Sequence, residues 1–170
     1  MEKFIFLDLD GVFNYHKWWD TQTHYEIYRT KGELESHYDP MIVENFNRIL
    51  DNVPDAKVIL ITSWKALTAT ELKPYGNYPN GIFDILFSVG IKRVDGKVPS
   101  IFCKRDEEII EFLKDYNDYK FVIIDDEDYY TSSKYHDQLY DNWIKTLYWG
   151  DPGSAGLTRE LSDKVIKLLS

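Results

Sequence analysis

Asp8 and Asp10 stand two residues apart at the end of the apolar run Phe4-Ile5-Phe6-Leu7, with Gly11 and Val12 directly after them. Two carboxylates at that spacing repel one another unless a proton or a cation intervenes, and Mg²⁺, a hard ion that prefers oxygen ligands, is the usual intervener. Gly11 lets the chain turn sharply and lets its backbone come close to an anion. Together these residue types suit phosphoryl chemistry, with one metal and one phosphate sharing the two acids. A strand closed by an Asx turn also accounts for Asp-x-Asp-Gly, so the decision falls to the rest of the chain.

The pair must be carried by a strand. Phe4–Leu7 is a short apolar run of β-favouring residues broken by Asp and Gly, the pattern of a buried parallel strand opening at its carboxyl end. That edge is where open α/β sheets bind ligands. Further strands are expected at Val58–Ile61, ending in Thr62-Ser63-Trp64, at Ile82–Val89, and at Phe121–Ile124, ending in Asp125-Asp126-Glu127-Asp128. A fifth is expected near Ile144–Tyr148, before the loop Gly150-Asp151-Pro152-Gly153. Ile42, Val43, Phe46, Ile49 and Leu50 recur at helical spacing after Asp39-Pro40. Other helices are expected over 65–72, stopped by Pro74 and Gly76, over 106–113 with Ile109, Ile110, Phe112 and Leu113 mostly inward, and over 158–168. Strands alternating with helices predict an α/β fold with a mainly parallel five-stranded sheet covered on both faces. In such a sheet Asp8/Asp10, Thr62/Ser63 and Asp125/Asp126 leave at one edge, so distant segments can meet at one site.

At 170 residues the chain is expected to form a single domain, 1–170. With 44% hydrophobic and 29% charged residues it has the composition of an ordinary soluble globular protein, apart from its aromatics at 16%. No apolar run approaches the ~18 residues of a membrane span, and Met1-Glu2-Lys3 leads straight into the first strand, so a cytoplasmic protein without membrane contact is expected. The single Cys103 excludes an internal disulfide and a cysteine-rich zinc site, and reads as a small core or boundary residue. His16, His24, His37 and His136 lack metal-ligand spacing and read as structural. A net charge of −9 disfavours extended nucleic-acid binding, which needs basic patches, while leaving a small or terminal phosphate open.

In combination and in order, Asp8-x-Asp10-Gly11-Val12, Thr62 (or Ser63), Lys104 and Asp125-Asp126 resemble the four motifs of the haloacid dehalogenase (HAD) superfamily, across nearly the whole chain. Within it the chain looks most like the small phosphatase-like domains associated with bacterial and phage RNA repair. That closer resemblance rests on Thr62-Ser63-Trp64-Lys65, on Lys104-Arg105-Asp106-Glu107-Glu108-Ile109 and on Gly156-Leu157-Thr158. Lys65 stands where those domains have Arg, and the two are not equivalent toward phosphate. The resemblance implies a Rossmann-like three-layer sandwich with only a small flap or cap inserted at about 14–39. It also implies a Mg²⁺-dependent phosphomonoesterase that works through an aspartyl-phosphate, on a phosphorylated small molecule, a nucleotide or a nucleic-acid terminal phosphate. Asp8 is then the nucleophile, and Asp10 protonates the leaving oxygen and afterwards activates water. Thr62 binds the phosphoryl group with Ser63, Gly11 and Lys65 alongside, and Lys104 neutralises its charge. Asp8, Asp10 through its main-chain carbonyl, Asp125 and Asp126 form the metal set.

Several of these residues also have plainer readings. Thr62 and Ser63 fit helix caps, and Lys104 fits a solvated charge before an acidic helix, with Lys97 as the other basic residue for its role. Asp128 fits a supporting position behind the metal ligands. In the insert, Tyr15, Trp18, Trp19, Tyr25, Tyr28 and Tyr38 suit either stacking on bases or packing on one another. A second aromatic-rich segment spans 127–149 and begins beside the fourth motif. An insert of about 25 residues is too short for a separate cap domain, which leaves the entrance open and favours a large or terminal substrate. Two other functions share the same residues: a non-catalytic phosphate- or metal-binding module or protein-interaction module, and a phosphotransferase to an acceptor other than water.

Overall fold

Three apolar runs form the middle of an all-parallel sheet in the computed structural model of the chain, which describes residues 1–101 and 104–170. The strands are β1 (Glu2–Leu7), β2 (Ala56–Leu60), β3 (Gly96–Lys97), β4 (Tyr119–Asp125) and β5 (Trp143–Lys145), in the order β3-β2-β1-β4-β5. The helices are α1 (Gln22–Thr30), α2 (Pro40–Asn52), α3 (Ala69–Leu72), α4 (Ile82–Ser88), α5 (Arg105–Leu113), α6 (His136–Leu139) and α7 (Arg159–Leu169). The central strand β1 alternates strictly. Ile5 and Leu7 join Val58, Leu60, Val122 and Ile124 against α2, α4 and α7, whereas Phe4 and Phe6 join Ile59 and Ile123 against α5 and α6. Burying both faces of a parallel sheet in this way gives the three-layer Rossmann-like sandwich. No helix among the described residues is long and apolar enough to cross a membrane.

Helix ends follow from local chemistry. Asp39 caps α2 by accepting from the Met41 amide, with Pro40 at the first helical position. Thr158 caps α7, and Gly156, at φ +65°, makes the turn into it. A Cβ on Gly156 would meet the Val12 carbonyl oxygen at 2.8 Å, so only glycine lets the last segment dock beside the first loop.

The structure corrects three expectations. Residues 82–88 form helix α4, not a strand: Ile82, Ile85 and Leu86 make a buried helical stripe between Gly81 and Gly90, both at positive φ. The third strand is instead the two-residue β3, paired with Ile59 and Leu60 and carrying no apolar signature. The helix expected over 65–72 is split into a 3-10 turn, Ser63–Ala66, and α3, because Thr68 and Glu71 form a capping box that starts a new helix. Cys103, expected at the core or its boundary, lies outside the described residues.

Candidate active site

The sheet's register delivers the acids. Leu7 pairs with Leu60 on one side and Ile124 on the other, so Asp8, Thr62 and Asp125 all emerge at the carboxyl edge. One carboxylate oxygen from each of Asp8, Asp125 and Asp126 lies within 4.8 Å of the others. Between them stands Arg105, the first residue of α5, with Nη1 3.2 Å from Asp8 Oδ2 and 2.8 Å from Asp125 Oδ2. Asp125 is fully buried; it accepts from the Tyr130 hydroxyl at 2.8 Å and from the Glu127 amide at 3.0 Å. Gly11, at φ +74°, is required by Asp126, because a Cβ there would overlap the Asp126 carboxyl group.

More negative charge is gathered here than Arg105 offsets. Burial first and the charge of Asp125 second push the Asp8 carboxyl up to about 8, against the pull of Arg105. Burial and the charges of Asp125 and Glu127 push Asp126 up to about 6. Burial also raises Asp125, opposed by Arg105. Three hard oxygen donors that resist ionising together have the chemistry of a divalent-cation site, and Mg²⁺ fits that donor set.

Asp10 is aimed by two fixed donors. Trp64 Nε1 donates to its Oδ2 at 2.9 Å and Asn14 Nδ2 to its Oδ1 at 3.2 Å. The buried Asn14 also accepts from the Gly11 amide at 3.0 Å and donates to the His37 carbonyl at 3.0 Å. The acid is thereby tied, through Asn14, to the segment that ends at His37. Thr62 is buried, lines the cleft, and at the same time caps the following 3-10 turn by accepting from the Trp64 amide at 3.3 Å. Ser63 lines the cleft beside it. The cleft has a volume of about 500 Å³.

The structure does not bring every expected residue to this cleft. Lys104 is 65% exposed and its ammonium lies 3.8 Å from Glu107, because it precedes α5 and is not held on its inner face. Lys65 is buried, but its ammonium is held 3.0 Å from Glu108 in a desolvated ion pair. Lys97 donates to the Lys65 carbonyl at 3.0 Å. Asp128 is exposed and accepts from the Tyr130 and Thr131 amides as a turn cap. The basic residue in the site is Arg105, which the sequence reading passed over. Helix phase carried the signal: Arg105 lies four residues before the buried Ile109, one turn along the same face.

The insert at 14–39 forms a 3-10 turn (His16–Asp20), α1 and a second 3-10 turn (Glu35–His37). The reading of its aromatics as packed within the protein holds for three of them. Tyr15, Trp18 and Tyr38 are buried, with the Trp18 indole donating to the Ser36 carbonyl at 2.8 Å, while Tyr25 and Tyr28 are exposed. Trp19 lines the cleft together with Tyr129 and Tyr148, neither of which the sequence singled out for the site.

A family model described as "HAD domain in Swiss Army Knife RNA repair proteins" matches residues 4–160. No curated protein and no solved structure matches the chain.

Proposed function

The chain belongs to the family of HAD domains in Swiss Army Knife RNA repair proteins, and from that premise we propose that it is a Mg²⁺-dependent phosphomonoesterase acting through an aspartyl-phosphate on a nucleotide or nucleic-acid terminal phosphate. The observation that carries this reading is the meeting of Asp8, Asp125 and Asp126 within 4.8 Å, with Asp10 two residues after Asp8. Asp8, Asp125, Asp126 and the main-chain carbonyl of Asp10 would hold the ion. When bound, Mg²⁺ supplies the positive charge that lets carboxylates and phosphoryl oxygens occupy one cleft.

Asp8 attacks phosphorus, and the ester oxygen leaves with a proton from Asp10. Asp10 then takes a proton from the water that attacks the same phosphorus, which frees phosphate and restores Asp8. Thr62 and Ser63 donate to phosphoryl oxygens. Arg105, already against Asp8, neutralises the charge that grows on them, the role that the family resemblance had given to Lys104. A cytoplasmic setting belongs to the same proposal.

Phosphate release would be measured from mononucleotides, 5′- and 3′-phosphorylated oligonucleotides and an aryl phosphate, with and without Mg²⁺. The expected result is Mg²⁺-dependent release that vanishes in Asp8→Asn. Release that persists in this variant would overturn the mechanism. Silence across the panel with Mg²⁺ still bound would favour a binding module.

A further inference from the structure

We propose that the aromatic wall of the cleft is a nucleobase subsite, which takes the terminal base of the leaving nucleotide by stacking and not by reading backbone charge. This rests on the phosphomonoesterase reading and specifies what the enzyme selects. Trp19, Tyr129 and Tyr148 come from three separate segments, yet all line the cleft that holds Asp8 and Asp10. The Trp19 indole donates to the Tyr148 hydroxyl at 3.2 Å, which fixes the flap ring against the segment after β5. Tyr129 is steadied by a hydrogen bond to Glu127 at 2.7 Å and by the Arg105 guanidinium, 4.9 Å from its ring centre. Next to Tyr148, Trp149 packs edge-on against the Tyr148 ring at 5.4 Å and lies 4.2 Å from the ring of His16, and it is still 71% exposed. An indole left this open against a ring that lines the cleft is a ready stacking surface.

Charge decides what kind of ligand fits. Among the described residues lining the cleft, Arg105 is the sole cation, against the carboxylates of Asp8, Asp10, Asp126 and Glu127. Arg105 is already engaged by Asp8 and Asp125. Lys17, next to His16, is paired with Asp151. The reacting phosphate therefore has a metal and an arginine to meet it, whereas a second phosphate has no cation waiting in the cleft. An aromatic wall without a cationic track suits one base on one phosphate.

The test titrates the full chain with uncharged adenosine and with ribose, for the wild type, Tyr148→Ala and Trp149→Ala. It is paired with kcat/KM for adenosine monophosphate and ribose 5-phosphate. Adenosine is expected to bind where ribose does not, with little dependence on salt. Each variant is expected to weaken adenosine by about 5- to 150-fold, the span corresponding to the usual strength of a base–aromatic stack. Trp149 is exposed, so its variant reports on binding even if Tyr148→Ala is poorly folded. Equal kcat/KM for the two phosphates, absence of adenosine binding, or a steep salt dependence would each overturn the subsite. Phosphate release that depends on Asp8 but ignores the base would leave the phosphatase standing and remove the subsite. Tyr148-dependent adenosine binding with no turnover would do the reverse.

Discussion

The indole nitrogen of Trp64 lies 2.9 Å from Oδ2 of Asp10 and fixes the direction of that carboxylate, whose other oxygen is held by Asn14. Trp64→Phe keeps an aromatic ring and deletes the donor. If Asp10 is the proton donor and acceptor, kcat should fall about tenfold with KM nearly unchanged, since a misaimed acid fails mainly in the transition state. Steady-state kinetics over a pH series check this; an unchanged kcat would show that the hydrogen bond does not position the acid.

Arg105 and Lys104 are adjacent in sequence and opposite in placement, one against Asp8 and the other in solvent. Arg105→Ala should lower turnover by about 10²- to 10³-fold, the usual cost of losing a charged group that faces a transition state. Lys104→Ala should change it by less than about twofold, as expected for a solvated charge. The reverse ranking of the two variants would restore Lys104 to the role first inferred from its sequence.

The crowding of carboxylates gives a pH dependence of known sign. In the folded, metal-free protein Asp8 keeps its proton up to about pH 8, while the unfolded chain releases it near 3.8. Between those values the folded state binds more protons, so stability falls as pH rises through the folded value. Asp126, raised to about 6, acts in the same direction at lower pH. The pKa of His37, lowered by burial, keeps its ring neutral above pH 7, so it adds no opposing trend there. Chemical denaturation from about pH 7 to 9 should show stability declining by at most about 1.4 kcal/mol per pH unit for each proton released. Mg²⁺ should stabilise most at the alkaline end, and Asp8→Asn should flatten the profile. Rising stability over that range would contradict the assignment.

Lys65 and Glu108 form a pair with side chains only 6% and 5% exposed, and Glu108 also accepts from the Ile101 amide. Lys65→Ala would leave a carboxylate buried without its partner and should cost about 3–5 kcal/mol of stability. The double variant Lys65→Met/Glu108→Leu should recover much of that loss. Denaturant titration reads both. A fully stable Lys65→Ala with a raised KM would return Lys65 to the substrate-binding role its motif suggested.

What the sequence disclosed follows the hydrophobic effect. The runs ending at Leu7, Ile61 and Ile124 are buried on both faces of the sheet, so their apolar character announced β1, β2 and β4 together with the acids and hydroxyls placed at their ends. Gly96 and Lys97 carry no such mark, because β3 is held by its register beside β2 and by Asp95, whose carboxylate accepts from the Val58 amide. Ile82, Ile85 and Leu86 fit a short buried strand or one face of a helix, and periodicity over seven residues does not separate the two. Asp8, Asp125 and Asp126 were legible because residue type and strand end coincide. That Arg105 and not Lys104 faces Asp8 depended on the phase of α5. The support that Asn14 and Trp64 give Asp10 is a product of tertiary contact that spans up to 54 positions, and it leaves no local pattern.

The three middle strands have five, six and seven residues, whereas the edge strands have two on one side and three on the other. Edges so short present too little unpaired backbone for another chain to extend the ladder. Self-association by strand addition is therefore disfavoured by the geometry of the sheet as well as by surface charge.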